Sequence, residues 1–271
     1  RGKNSSLIRM SFLLFLWYNI WQKVMNVFEY KGVKVNYVRY GNPEGQSLVL
    51  LHGWGQNIQM MKPLGDALQK NDVIIVDFPG HGASEEPKEV WTLEDFADMV
   101  HELLESLGVK NPILAGHSFG GKVSLIYASK YPIKKLVLFG SPFKVKIKKP
   151  TVKMRVLKGL KKLPGMDKIG EAMKKHIGST DYRNASPIMR QIMTLHVNTD
   201  ITDLVSKIKC PTLIIWGDRD EAVPIEDAYE LESLIPDSAV IKYEGCTHYA
   251  YLERLNQTIS IMNNFIGEDE K

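Results

Sequence analysis

Five short runs of this chain are apolar without alternation: SLVLLHG (47–53), DVIIVDF (72–78), PILAGHS (112–118), KLVLFGS (135–141) and TLIIWGD (212–218). A strand with one face in water alternates apolar and polar positions. An unbroken apolar run of strand length predicts a strand covered on both faces, the pattern of a parallel sheet. Ahead of these runs VFEYKGVKVNYVRY (27–40) does alternate, is rich in Val and Tyr and has Gly32 near its middle, which predicts a hairpin. AVIKYEG (239–245) supplies a last strand. Helix-period patterns lie between the strands. The clearest spans 92–107: Thr92 and Asp95 have capping-box spacing, Leu93, Phe96, Ala97, Val100, Leu103, Leu104 and Leu107 make one apolar face, and Gly108 ends it. YAYLERLNQTISIMNNFI (249–266) predicts a closing helix. Strands alternating with helices predict an α/β domain, a mostly parallel sheet with helices on both faces.

The alternation stops between Ser141 and Pro211. That stretch has no buried-strand run, only helix-length, lysine-rich patterns broken by Pro150, Pro164, Gly165, Gly178 and Pro187. It predicts a helical insertion over 142–202, dividing a core of 25–141 and 203–271. Charge sharpens this division. Phe143 to Arg183 holds thirteen basic against three acidic side chains, a net of +10, so the rest of a chain of net +4 carries −6. The lysines read first as a solvated face, and otherwise as an attractor for acidic substrates or anionic surfaces. Met154, Met166, Met173, Met189 and Met193 accompany them, either as core filling or as an adaptable apolar underside facing a site.

The first 24 residues stand apart. SFLLFLWYNIW (11–21) is apolar and follows Arg1, Lys3 and Arg9, yet no small-x-small cleavage site follows it. Asn19, Gln22 and Lys23 interrupt it well short of the ~20 apolar residues that a membrane span needs. Residues 1–24 are expected to be an extension outside the core, with a membrane-lying anchor as the competing reading.

A length of 271 residues suits one large domain with an insertion, and 44% apolar against 24% charged residues describes an ordinary soluble protein. Two cysteines, Cys210 and Cys246, exclude a disulfide scaffold and favour a reducing, cytoplasmic setting. There is no metal-ligand spacing, and no metal or cofactor is expected. The basic insertion has few aromatic residues on which bases could stack, so nucleic acid is not an expected partner.

The chemistry concentrates at strand ends. In AGHSFGGK (115–122), Ser118 lies on the turn between a buried strand and the next helix, flanked by Gly116 and Gly120. Such a sharp reversal excludes side chains on both flanks and projects the serine hydroxyl above the sheet, at a helix N-terminus that favours negative charge. The competing reading is a structural turn. A serine nucleophile needs a base, and the base an orienting acid. IIWGDRDEAVP (214–224) offers Asp218 and Asp220. The Gly217-x-x-Asp220-x-x-Val223-Pro224 spacing favours Asp220, and Asp218 reads as a turn-capping aspartate. Of seven histidines only His248, in the loop after the last strand, follows Asp220. The N–H groups of Phe119 and of Trp54, in His52-Gly53-Trp54-Gly55, are candidate oxyanion donors. His52 itself reads as structural.

LLHGWG, DFPGHGAS (77–84), GHSFGG, GDRDEAVP and GCTHYAYLE, in this order, resemble the α/β-hydrolase superfamily in its single-domain, cap-bearing branch, over roughly Asn26 to Ile266. The resemblance implies an α/β-hydrolase fold with a helical cap, Ser118 as nucleophile, Asp220 as acid, His248 as base, and Trp54 and Phe119 as oxyanion donors. Arg254 stands where the family usually has a proline. A serine at the elbow argues against the dehalogenases of the superfamily, which use aspartate there. The expected activity is hydrolysis of a carboxylic ester, a small molecule, through an acyl-enzyme. A carbon–carbon bond hydrolase or lyase acting on an acidic metabolite is the alternative, and a non-catalytic binding protein on the same fold is a third reading.

Overall fold

The alternating segment at the start of the core pairs with itself. In the computed structural model, which describes residues 26–145, 182–183 and 185–267, β1 (Asn26–Tyr30) and β2 (Val33–Gly41) form an antiparallel hairpin. Lys31 and Gly32 close it with φ of 48° and 70°, the two positive values that a tight two-residue turn needs. The five unbroken apolar runs become β3 (Ser47–Leu51), β4 (Asp72–Val76), β5 (Ile113–His117), β6 (Lys135–Phe139) and β7 (Thr212–Gly217). With β8 (Ser238–Tyr243) they make one eight-stranded sheet in the order β1-β2-β4-β3-β5-β6-β7-β8. Every pairing from β4 to β8 is parallel, and β2 joins β4 antiparallel.

Each central strand feeds two cores because successive side chains leave opposite faces. Val49 and Leu51, with Ile74, Val76, Leu114 and Ile214, meet α2 (Leu93–Ser106) and α3 (Phe119–Lys130). Leu48 and Leu50, with Val73, Ile75, Ile113 and Ile215, meet α1 (Ile58–Ala67) on the other face. The Thr92–Asp95 capping box at the start of α2 is formed in both directions.

Of the expected insertion, the structure describes 142–145, 182–183 and 185–202. These include α4 (Pro187–Asn198), opened by Ser186 as N-cap with Pro187 in its first turn, and the start of α5 (Thr202–Val205). The remainder of 142–202, with most of its lysines and Met154, Met166 and Met173, lies outside the described residues, as does the 1–24 extension. Lys144, at the root of the insertion, is ion-paired to Asp227 (3.1 Å) and Glu230 of α6 (Glu226–Leu234).

The expected closing helix is two helices, α7 (Ala250–Glu253) and α8 (Leu255–Gly267). Arg254 leaves helical geometry at φ −119°, ψ 44°, while the Glu253 carboxylate turns back to accept from Thr247 N (3.0 Å) and the Thr247 hydroxyl. Among the described residues no helix is long and apolar enough to cross a membrane.

Candidate active site

The parallel strands all present their C-terminal ends to one rim, the position at which open α/β sheets place their ligands. The candidate residues follow β3, β5, β7 and β8 there. Ser118, between β5 and α3, adopts φ 51°, ψ −110°, a conformation that costs a residue with a Cβ of order 1–3 kcal/mol. Backbone contacts hold it: Ser118 N donates to Phe139 O (2.9 Å), and Lys122 N donates to Ser118 O (3.0 Å). Gly120 N donates to His52 O (3.1 Å). A Cβ on Gly120 would lie 2.3 Å from Leu51 O, and one on Gly116 would lie 2.5 Å from Gly120 O. The glycines of GHSFGG are therefore a requirement of close backbone approach.

The acid and base loops meet in the same manner. A Cβ on Gly217, at the end of β7, would fall 2.3 Å from the carbonyl oxygens of Cys246 and Thr247. A bare Gly217 lets the loop after β8 cross over β7 and carry His248 to Asp220. Asp220 Oδ1 accepts from Ala222 N and Val223 N, both at 2.8 Å, and Oδ2 accepts from His248 Nδ1 at 2.6 Å. The Asp220 side chain is fully buried and that of His248 is 16% exposed. A carboxylate oxygen accepts here, so Nδ1–H is the donor of this bond. The pair lies over Gly140: a Cβ there would be 3.0 Å from His248 Nδ1 and 3.2 Å from Asp220 Oδ2. Gly140 directly follows Phe139, the last residue of β6, whose carbonyl holds Ser118 N, so the serine's anchor and the glycine beneath the acid–base pair are adjacent in the chain. Asp218 is exposed and accepts from Gly245 N (2.7 Å), the capping of a turn.

Trp54 lies in the turn after β3, and its ring meets the Phe119 ring edge-on at 5.3 Å, so the two candidate oxyanion loops touch through their side chains. His52 is fully buried and committed: Nδ1–H donates to Gly53 O (2.7 Å), and Nε2 accepts from Phe78 N (3.0 Å). Burial, reinforced by neighbouring His81, pushes its pKa down to about 3.

Four further residues support the site and were not singled out from the sequence. His117 donates from Nε2 to His248 O (3.0 Å), tying the base loop to β5, and burial pushes its pKa down to about 3. Gln56 accepts from Gly53 N (3.0 Å) and lies against His117 Nδ1 (3.2 Å). Lys122, one turn after Ser118, is 1% exposed and donates to His196 O (3.0 Å) and Thr199 O (2.6 Å) at the end of α4. Burial lowers its pKa to about 8. His196 rests on both oxyanion residues, stacked on Trp54 (6.3 Å, 11°) and edge-on to Phe119 (4.8 Å, 84°). A readable signal existed for the last two. His196 falls on the stripe Met189–Ile192–His196 at helical spacing, and Lys122 sits inside a helix buried all round. A polar residue on a buried stripe is a feature to be explained. Among the described residues no group of three or more His, Cys, Asp or Glu could hold a metal ion.

A family model described as alpha/beta hydrolase fold matches residues 46–165 and 153–255. The chain belongs to the alpha/beta hydrolase family. This hydrolase is 29% identical to Lipase 1 of Psychrobacter immobilis over 251 residues, covering 84% of this chain and 78% of that one. It is 31% identical to the uncharacterized hydrolase YugF of Bacillus subtilis over 254 residues, covering 84% and 92%. Among solved structures, a bacterial membrane phospholipase A superposes with a TM-score of 0.73 at 22% identity, covering 90% of this chain and 86% of that one, a likeness of fold. The expected α/β-hydrolase fold is thus borne out, and the chain is an enzyme with hydrolase activity.

Proposed function

We propose that this hydrolase cleaves carboxylic esters of small molecules through an acyl-enzyme, with Ser118 as nucleophile, His248 as base, Asp220 as the acid that orients it, and the N–H groups of Trp54 and Phe119 as oxyanion donors. The observation that carries the reading is the buried Asp220–His248 hydrogen bond lying over Gly140, beside a serine held at positive φ on a helix N-terminus. With Nδ1–H committed to Asp220, His248 Nε2 takes the Ser118 proton as Oγ attacks the ester carbonyl. The carbonyl electron pair moves to oxygen, where the oxyanion donors meet it. Collapse expels the alcohol, which takes the proton from His248, and the acyl group stays on Ser118. Water repeats the sequence and releases the acid. The ester class is supported by the relative named a lipase. The 142–202 insertion is the proposed cap over the site, and the free thiols Cys210 and Cys246 support a cytoplasmic setting.

The test is a panel of p-nitrophenyl esters of graded acyl length alongside a fluorophosphonate probe. Wild type should turn over at least one ester and label covalently, and folded Ser118→Ala should do neither. Equal labelling of the two proteins would remove Ser118 from the mechanism.

A further inference from the structure

His196 is the one side chain of the described insertion in ring contact with both proposed oxyanion residues, and its Nδ1 is buried with no hydrogen-bond partner among the described residues. Buried polar atoms in folded proteins are nearly always paired, so an orphan beside a site asks for a ligand. The ring is clasped between Trp54 and Phe119, and the carbonyl of its own residue is held by Lys122 Nζ at 3.0 Å. The residue is 7% exposed, and this burial keeps the imidazole neutral, its pKa pushed down to about 3. A neutral imidazole nitrogen is either a donor or an acceptor according to tautomer. A hydroxyl, which both donates and accepts, satisfies either state without bringing a charge among aromatic rings.

We infer that His196 determines specificity, its Nδ1 pairing with a hydroxyl that the ester carries within a few bonds of its scissile carbonyl. This rests on the esterase reading above. Trp54 and Phe119 carry the proposed oxyanion N–H groups, and the His196 ring packs against both of their side chains, that of Phe119 being fully buried. A hydroxyl-bearing ester would give the orphan nitrogen its partner, and a hydroxyl-free ester of the same size would leave it unpaired. Sites built to pair a substrate hydroxyl discriminate strongly against the analogue lacking it.

The hydroxyl can sit on either side of the ester, and two substrate pairs separate the cases. On the acyl side, p-nitrophenyl β-hydroxybutyrate is compared with p-nitrophenyl butyrate. On the alcohol side, glycerol monobutyrate is compared with propyl butyrate. The readout is the ratio of kcat/KM within each pair, which does not depend on the fraction of enzyme folded. Wild type should favour the hydroxyl in one pair by about tenfold or more. His196→Phe, which keeps a ring between Trp54 and Phe119, should bring that ratio to near one. His196→Asn, whose amide sets a polar atom close to the Nδ1 position, should recover most of it. A wild type that hydrolyses both members of both pairs equally, or a His196→Phe enzyme that keeps the preference, overturns the role of His196 and leaves the esterase reading standing. A wild type that hydrolyses none of the esters and takes no fluorophosphonate overturns both.

Discussion

Two regions are held to the core by opposite means. The elbow at 116–121 is fixed by backbone against backbone, with glycines admitting carbonyl oxygens where no Cβ fits. Helix α4 of the insertion is fixed by side chains: the Lys122 ammonium on its last carbonyls, the His196 ring on Trp54 and Phe119, and Met189 over Gly80. Backbone contacts of the first kind tolerate no substitution. Contacts of the second kind can be changed one side chain at a time while the helix stays. The difference separates a frame that carries the proposed chemistry from an attachment whose contacts can be altered without disturbing that frame.

The comparison breaks most severely if the frame proves tolerant. Gly120→Ala places a Cβ against Leu51 and His52 carbonyls and should leave either no soluble enzyme or one destabilised by about 3 kcal/mol, as forced overpacking does, with no measurable turnover. Urea unfolding and ester assay check it, and near-normal activity would show an elbow that relaxes. Next in size is the acid. Asp220→Asn should preserve the fold and cut kcat by about 10⁴, because a mis-set tautomer cannot accept the serine proton, whereas Asp218→Asn should change kcat less than about threefold. Steady-state kinetics on the two variants decide between the aspartates.

The attachment is probed by Lys122→Met, which keeps the length of the stem and removes the donor. Two carbonyls lose a partner, at about 1–3 kcal/mol each, offset in part because an ammonium need no longer be buried. The net effect on global stability should be below about 2 kcal/mol. Amide exchange across 192–199 should nevertheless accelerate by about tenfold while β5 and β6 are unmoved. Uniform acceleration would show that α4 belongs to the frame.

A further test is a pH slope. His52, His117 and His196 have pKa values lowered to about 3 in the folded protein, against 6.5 ordinarily. Between those values the unfolded chain binds protons that the folded chain refuses, so stability rises with pH and is lost as pH falls below 6.5. From pH 6.5 towards 5 the unfolding free energy should fall with a slope approaching three protons, two from the frame and one from α4. His196→Phe should reduce it by about one proton, as read from urea titrations at fixed pH.

The frame was legible because its physics is local. Unbroken apolar runs marked β3 to β7, and Thr92 with Asp95 marked the start of α2 before any contact was known. Ser118, Asp220 and His248 each lie at a strand end with a recognisable spacing. The break at Arg254 was not legible, because it depends on Glu253 reaching back to Thr247. Nor were the contacts of Lys122 and His117, whose partners lie 74 and 131 positions away. No short-range pattern encodes such a pairing; the one readable trace, His196 at helical spacing from Met189 and Ile192, was missed.

The spacing of the site along the chain also sets an order in time. The strand carrying the serine is complete by residue 118, while the proposed base arrives 130 positions later, after the edge strand β8. At synthesis rates of about 5–20 residues per second, the proposed base follows Ser118 by roughly 6–26 seconds. On the proposed mechanism, a ribosome-bound chain stalled short of His248 would carry the elbow without its base.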